Sequence, residues 1–466
     1  MPDSLQLIPQ VDSRQMSAAA AKLVANRSTS SSGPSSPQHM DYNKLDSNAI
    51  LMANQKPYPI VYGELVILGY NGCLPQGERG RRKSKYLLFK RPMANGIKKS
   101  KHYVVKQPQH TRAIQEKDQH AISYTLNRSQ AIIVEYQSDE DTDMFQIGRS
   151  SETPIDFVVI DTMVSDPNKT SPDKLVQQST ISRFACRILI ERKPPHKVRV
   201  YAAGFDSSKN IFLGEKATKW QQNGEIDGLT TNGVLIMHPK VKQTNDSSNP
   251  QFGGIWREVS VCGEIYSVRE TRSASQKGNK IDNETNILTD GTLIDLCGAT
   301  LLWRSAEGLA TSPTKKHLEE MVDELNAARP QCPVGLNTLV IPRRSASLSE
   351  TDKQPYVYLN CGHVQGLHDW GQNRNTNGRT CPMCLDISPV AKLTMGIEPS
   401  LYMDILKPSF CFNPCGHMTS DKSARYWSQV PIPHGTNGFH AMCPFCATPL
   451  QGEWGFVRLI FQDYVD

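Results

Sequence analysis

At 466 residues with a formal net charge of +6, the chain is too long for one compact core and too weakly charged to demand a nucleic-acid partner. Its start, MPDSLQLIPQVDSRQ, lacks a basic and then apolar leader, and no apolar run approaches the roughly 20 residues of a membrane helix, so a soluble, cytoplasmic protein without membrane insertion is expected. The 12 cysteines should then be reduced, and eight of them crowd between residues 332 and 446, which points to metal binding rather than disulfides.

Residues 1–54 include SAAAAKLVANRSTSSSGPSSPQH and hold few large apolar side chains, so burial cannot offset the entropy of ordering them; a disordered tail is expected. From PIVYGELVILGYNG onward come short runs rich in β-branched and aromatic residues: YLLFK, YVVKQ, AIIVEY, MFQIG, DFVVID, ACRILIE, KVRVYAAG, NIFLG, GVLIMHP and TLIDLCGATLLW. Such runs, separated by turn signals, predict a β-sandwich over residues 55–310. Val198 and Val200 alternate with Arg199 and Tyr201, as a half-buried strand requires. The stretch RGRRKSKYLLFKRPMANGIKKSKHY is dense in Lys and Arg and reads as part of an inserted basic appendage, about 76–125, with a solvated polar surface. Over 311–331, Leu318, Met321, Val322 and Leu325 fall at i, i+3, i+4 and i+7 between Ser312-Pro313 and Pro330, predicting a helix that links two halves. Residues 332–466 are rich in Cys, His, Pro, Gly and Asn, with few apolar runs, and need metal to hold them together.

In that last segment one skeleton is written twice. Cys361, His363, Cys381 and Cys384 give C-x-H, 17 intervening residues and C-x-x-C; Cys415, His417, Cys443 and Cys446 give the same with 25. Thiolate and imidazole pairs at these spacings chelate zinc from tight turns, and eight ligands make two closed sites. Closed sites leave no position for water, so both ions would be structural, contributing of order 10 kcal/mol each to folding. The spacing leaves open whether each half closes its own ion or the pairs cross-brace. Cys332 and Cys411 read as buried thiols, Cys332 being the first candidate for a substitute ligand, and His368, His434 and His440 read as solvent-facing.

In the β half, FQIGRSSETPIDFVV places Gly148-Arg149-Ser150 at a strand end, STISRFACRILIE supplies a Ser182-Arg183 turn, and LTTNGVLI supplies Asn232-Gly233. Guanidinium, hydroxyl and amide donors gathered at one rim of a sandwich suit a phosphate, which carries close to two charges and three acceptor oxygens.

These motifs resemble two known families. Gly-Arg, Ser-x-x and Asn-Gly at successive loops look like the forkhead-associated (FHA) domain, a phosphothreonine-binding sandwich; Ala185 stands where that family usually has histidine, and Asn210 in SSKNIFLG is a rival for the asparagine role. PCGH followed by CPFC looks like the RING family, which docks ubiquitin-conjugating enzymes, although the C-x-x-C that normally follows C-x-H is absent, so the block is RING-like. The combined layout, with DMFQIGRS, STISRFACRI, DGLTTNGVLIMHP, VYLNCGHV and YWSQVPIPHGT, resembles the Pellino family of E3 ubiquitin ligases from about residue 55 to the C-terminus. The resemblance implies a mainly β chain, an FHA-like sandwich with an insertion followed by a small zinc-binding RING-like domain. It implies phosphothreonine contacts at Arg149, Ser182, Arg183, Thr231 and Asn232. It also implies a role in Toll and interleukin-receptor innate immune signalling, with a ubiquitin-conjugating enzyme (E2), ubiquitin and phosphorylated receptor-associated kinases as partners. No catalytic residue is expected, since such a ligase acts by proximity. The competing reading is a non-enzymatic phosphopeptide scaffold; nucleic-acid binding is disfavoured because the Cys/His block is not notably basic. The Ser-rich RRSASLSE between the halves is a candidate phosphorylation site.

Overall fold

A computed structural model describes residues 59–70, 85–106, 119–160, 179–242, 251–342, 353–372, 378–434 and 438–462. The expected disordered tail and the RRSASLSE stretch lie outside the described residues.

The chain forms a sandwich built from the β-branched and aromatic runs. Its first strands are β1 (Val61–Tyr70), β2 (Lys85–Phe89), β3 (Gly96–Lys106), β4 (His120–Asn127), β5 (Gln130–Asp139), β6 (Thr142–Gly148), β7 (Phe157–Val158), β8 (Cys186–Glu191), β9 (Val198–Ala202) and β10 (Asn210–Leu213). One sheet runs in the order β10-β4-β5-β3 and another β7-β6-β8-β9. A seven-stranded antiparallel sheet takes the order Ile265–Ser267, Arg257–Val259, Leu235–Met237, Leu293–Asp295, Ala299–Ser305, β1, β2. Along β9, Val198, Val200 and Ala202 are buried while Arg199 and Tyr201 are half-buried on the other side. Within the basic segment 76–125, β2 pairs with β1 and β3 pairs with β5, so its strands are joined to the sheets, while Lys98, Lys99, Ser100, Lys101 and His102 of β3 remain exposed.

Both faces of the seven-stranded sheet are buried. Leu65 and Ile67 of β1 enter the sandwich core, as do Ile236, Ile294, Leu301 and Trp303. Val66, Leu68, Leu235, Met237, Leu293 and Leu302 point the other way, into a second core completed by Leu401, Phe412, Ala424, Trp427 and Ile432 of the Cys/His domain. Alternate residues of one strand thus serve two cores, and a strand buried on both sides reads as an unbroken apolar run. GELVILGY, GVLIM and ATLLW are such runs.

Two short helices follow the last strand. α1 (Ala306–Ala310) is capped by Ser305, and α2 (Lys315–Ala327) starts at Thr314, whose side chain accepts from the His317 amide at 3.1 Å. Leu318, Met321, Val322 and Leu325 form the buried face of α2. That face packs into a third core with Cys332, Leu339, Val357, Leu393, Tyr402, Cys411 and Met418. α2 is therefore anchored in the Cys/His domain. A further helix, α3 (Asp421–Gln429), was not anticipated from the sequence. Ser420 caps it, Asp421 pairs with Arg425 one turn on, and Ala424, Tyr426 and Trp427 are buried.

Polar contacts fix the join between the halves. The buried Arg304 donates to the Tyr402 carbonyl (3.0 Å), the Ser400 carbonyl, Ser312 Oγ (2.7 Å) and Asp290 Oδ1 (3.0 Å). Trp256 Nε1 donates to the Pro431 carbonyl at 2.7 Å, and the Tyr426 hydroxyl to the Gly291 carbonyl at 3.1 Å. No helix among the described residues is long and apolar enough to cross a membrane.

Candidate functional site

At one rim of the sandwich the chain leaves β6 at Gly148, where an added Cβ would lie 2.1 Å from the Arg183 carbonyl oxygen. This close approach lets the Arg149 amide donate to the Ser182 carbonyl and the Ser150 amide to the Arg183 carbonyl, both at 3.1 Å. The loop after β6 and the loop before β8 are thus laced together. Arg149 Nε donates to the Ile181 carbonyl at 2.8 Å, which orients the guanidinium, and the side chain is exposed. From the third loop, Asn232 Nδ2 donates to the Thr180 carbonyl (2.6 Å) and to Ser182 Oγ (3.4 Å). Ser182, Arg183, Thr231 and Asn232 all line one groove of about 410 Å³, which continues past Phe184, Phe212 and Leu213. Arg149 stands beside it through its bonds to residues 181 and 182. All five sequence-derived residues therefore meet at one place. Asn210, the rival asparagine, lines the same groove; it is largely buried, and its Nδ2 donates to the Ser208 carbonyl and hydroxyl, closing the turn before β10.

Two residues that hold this rim were not found from the sequence. Arg269 and Glu258 form a buried two-pronged ion pair at 2.7 and 3.0 Å, and Arg269 also donates to the Thr230 carbonyl at 2.8 Å. Gly233, at φ 69°, lies over that pair, and a Cβ there would sit 2.7 Å from Glu258 Oε1. The Thr231-Asn232-Gly233 turn therefore rests on a fixed charged floor. Neither residue carries a motif.

In the C-terminal domain the eight predicted ligands form two groups, Cys361, His363, Cys381 and Cys384 in one and Cys415, His417, Cys443 and Cys446 in the other, with the donor atoms of each within 4.8 Å of one another. Each half closes its own site, and the pairs do not cross-brace. His363 Nδ1 lies 3.3 Å from Cys361 Sγ and 3.6 Å from Cys381 Sγ; His417 Nδ1 lies 3.3 Å from Cys415 Sγ and 3.8 Å from Cys443 Sγ. Metal–sulfur bonds of about 2.3 Å and metal–nitrogen bonds of about 2.0 Å place tetrahedral ligand atoms roughly 3.5 to 3.8 Å apart, so the donors fit a four-coordinate ion. Crowding has an electrostatic mark too: hydrogen bonds from Cys415 and Cys443 hold the Cys446 thiol far below its ordinary range.

The local sequence explains the repeated spelling. In each Cys-Gly-His the glycine sits at positive φ, 82° at Gly362 and 72° at Gly416, and donates to a carbonyl four residues back, Tyr358 at 2.7 Å and Phe412 at 2.8 Å. Added Cβ atoms would lie 1.9 Å from the Arg458 carbonyl and 2.3 Å from the Lys392 carbonyl, so only glycine fits. Each Cys-Pro-x-Cys is a knuckle in which the amide four residues on returns to the first cysteine carbonyl, Leu385 to Cys381 and Ala447 to Cys443, both at 2.8 Å. Cys332 begins a third knuckle of the same form: Leu336 donates to its carbonyl at 2.9 Å, and Gly335 occupies the position of the second cysteine. Cys332 is buried and lies outside both groups; its Sγ accepts from the Gly335 amide at 3.3 Å. Cys411 is also buried. His440 is exposed, whereas His368 is half-buried with Nε2 2.7 Å from Gln365 Oε1 rather than solvent-facing. Nothing is described of the His434 side chain.

A β-sandwich that gathers Arg149, Ser182, Arg183, Thr231 and Asn232 at one loop rim, joined to a domain with two four-residue Cys/His groups, defines an FHA domain fused to a RING-type domain. Family models described as "Pellino, FHA domain" and "Pellino, RING domain" match residues 53–321 and 325–466. The chain is 64% identical over 405 residues to protein pellino of Drosophila melanogaster, covering 87% of this chain and 94% of that relative. It is 57% identical over 411 residues to E3 ubiquitin-protein ligase pellino homolog 2 of Homo sapiens, covering 88% and 96%. Against E3 ubiquitin-protein ligase pellino homolog 3 of Mus musculus it is 54% identical over 412 residues, covering 88% and 91%. The chain belongs to the Pellino family of E3 ubiquitin ligases.

Proposed function

We propose that this protein is a cytoplasmic E3 ubiquitin ligase that holds phosphothreonine-containing substrates at the FHA rim and a ubiquitin-charged E2 at the RING-type domain, acting in Toll and interleukin-receptor signalling on phosphorylated receptor-associated kinases. The observation that carries the reading is the convergence of Arg149, Ser182, Arg183, Thr231 and Asn232 on one rim, in a chain whose other half gathers two four-ligand clusters.

Zinc is the ion the donor set suits: three thiolates and an imidazole in each site, fully used. Its contribution there is to cross-link the loops and knuckles that carry the ligands, and the eight ligands would hold it. The first knuckle presents Met383, Leu385 and Ile387 at 48%, 69% and 59% exposure, an apolar surface suited to an E2. Transfer then needs only proximity, since holding donor and acceptor together replaces a bimolecular encounter with an effective concentration. Burial pushes the Cys186 and Cys262 thiols up to about 12 and raises that of Cys411, which makes these three poor nucleophiles for a thioester.

The test is ubiquitination with purified components and a panel of conjugating enzymes, comparing the intact chain with a Cys381→Ser, Cys384→Ser variant. Chains made only by the intact protein support the ligase. A protein that holds two zinc ions but makes no chains with any enzyme is the phosphopeptide scaffold instead. Arg149→Ala should abolish phosphothreonine-peptide binding and leave free chain synthesis unchanged; equal loss of both would end this division of labour.

A further inference from the structure

The two arginines of the phosphate rim are not equivalent. Arg149 uses Nε on a backbone carbonyl, and among the described residues no carboxylate pairs with it. Arg183 is already engaged: its guanidinium donates to the carboxylate of Glu152. That carboxylate also accepts from the Ser207 hydroxyl and, at 3.2 Å, from the Ser150 hydroxyl. The Glu152 amide in turn donates to Ser150 Oγ at 3.3 Å, which closes the loop around the acid. A guanidinium and two hydroxyls are the donors that a phosphate gathers, and here an internal carboxylate gathers them.

Resting on the phosphothreonine reading above, we infer that Glu152 is a built-in stand-in for phosphate that occupies Arg183 and sets the threshold a ligand must exceed to use it. A ligand carboxylate offers Arg183 nothing that Glu152 does not, and Glu152 has the advantage of being tethered. A phosphate dianion offers a second charge and a third oxygen, so it can displace the side chain where an aspartate or glutamate cannot. The arrangement therefore selects phosphothreonine over acidic mimics as well as over unmodified threonine. The hydrogen bonds from Ser207 and Arg183 hold the Glu152 carboxyl below its ordinary range, so it stays charged at any pH where phosphate is a dianion. Because the Arg183 and Glu152 side chains are 59% and 33% exposed, the pair is weak enough to open.

The experiment measures binding of the full chain to a phosphothreonine peptide chosen from a random-flank library, and to the same peptide with glutamate in place of phosphothreonine. Glu152→Gln should tighten the phosphopeptide about fivefold, the scale of one unlike or like charge pair at about 4 Å in water, and should bring the glutamate peptide into measurable range. Arg183→Ala should cost about twofold or less in the native background and about tenfold in Glu152→Gln. Weaker binding in Glu152→Gln, or an Arg183→Ala effect equal in both backgrounds, would mean that the carboxylate orients Arg183 instead of competing for it, and overturns the inference. The underlying reading fails separately: if Arg149→Ala binds the phosphopeptide as well as the native chain, the rim is not the phosphate site at all. Thermal unfolding of each variant checks that the fold is intact.

Discussion

The sandwich and the RING-type domain differ in what holds them. Strands in the sandwich run to 11 residues and bury a continuous set of apolar side chains, whereas strands in the C-terminal domain are two or three residues long and alternate with knuckles. The first is held by burial distributed over many contacts, so no single side chain decides it. The second concentrates its order in eight donor atoms, a helix face and one shared core. Tolerance to mutation should differ accordingly.

The largest expected effect is Cys443→Ser. Losing one ligand forfeits most of a metal-binding free energy of order 10 kcal/mol, so metal content should fall from two ions to one and chain synthesis should vanish. Phosphopeptide binding should persist, because the sandwich keeps a core of its own; its loss would mean that the shared core, to which Cys443 belongs, carries the unfolding across. Next comes Trp427→Ala at the shared core, expected to cost about 4 kcal/mol and to split urea unfolding followed by tryptophan fluorescence into two transitions. A single unsplit transition would show that Arg304 and its backbone partners alone keep the halves coupled. Arg269→Ala leaves Glu258 buried without a partner and should cost about 3 kcal/mol. Its distinctive result is a phosphopeptide affinity lowered by about tenfold with ubiquitination of the chain itself unaffected, since the loss is confined to the floor under Thr231-Asn232-Gly233.

The smallest effect is acid sensitivity within the sandwich. Burial, with Lys209 and Arg187 nearby, lowers the pKa of His120 from 6.5 to about 4. Between those values the unfolded chain binds a proton that the native chain refuses, so stability should decline as pH falls from about 6.5 to about 4 and then level off, by about 2 kcal/mol after allowing for partial exposure of the ring. Above pH 6.5 this histidine contributes no slope. His120→Phe, which keeps an aromatic ring against Phe205, should flatten that segment of a stability profile measured by urea titration; an unchanged slope would place the acid sensitivity elsewhere.

Much of this was legible in the chain because it is periodic or local. The alternation of Val198 and Val200, the four buried positions of α2, and both sets of C-x-H and C-x-x-C ligands depend on spacing alone, and spacing is written in the sequence. What was not legible depends on distant partners. Glu258 and Arg269 have no motif, and their meaning appears only when the sheet brings Thr230 above them. Ligand pairing is likewise a property of folding, since the same eight residues serve either topology. α3 is brief, and its signal lies in Ser420-Asp421 as cap and first turn, with Ala424 and Trp427 three apart, a pattern easily passed over beside so many loop residues. The unbroken runs GELVILGY and ATLLW did carry the information that their sheet is covered twice, but a run buried on both faces does not say what covers the second face.

The shared core gives the molecule a fixed gauge. Because Val66, Leu68 and Leu302 of the sandwich pack against Trp427 and Phe412, the span from the phosphate rim to the first knuckle cannot stretch as it would across a flexible linker. On the function proposed above, reach must then come from the substrate: lysines on a mobile tail at a suitable contour length from the phosphothreonine should be marked, and those nearer or farther along a rigid surface should be passed over, which mass-spectrometric mapping of the modified lysines would check. Choice of acceptor lysine becomes a matter of surveying distance, set once by the fold and read out along the client chain.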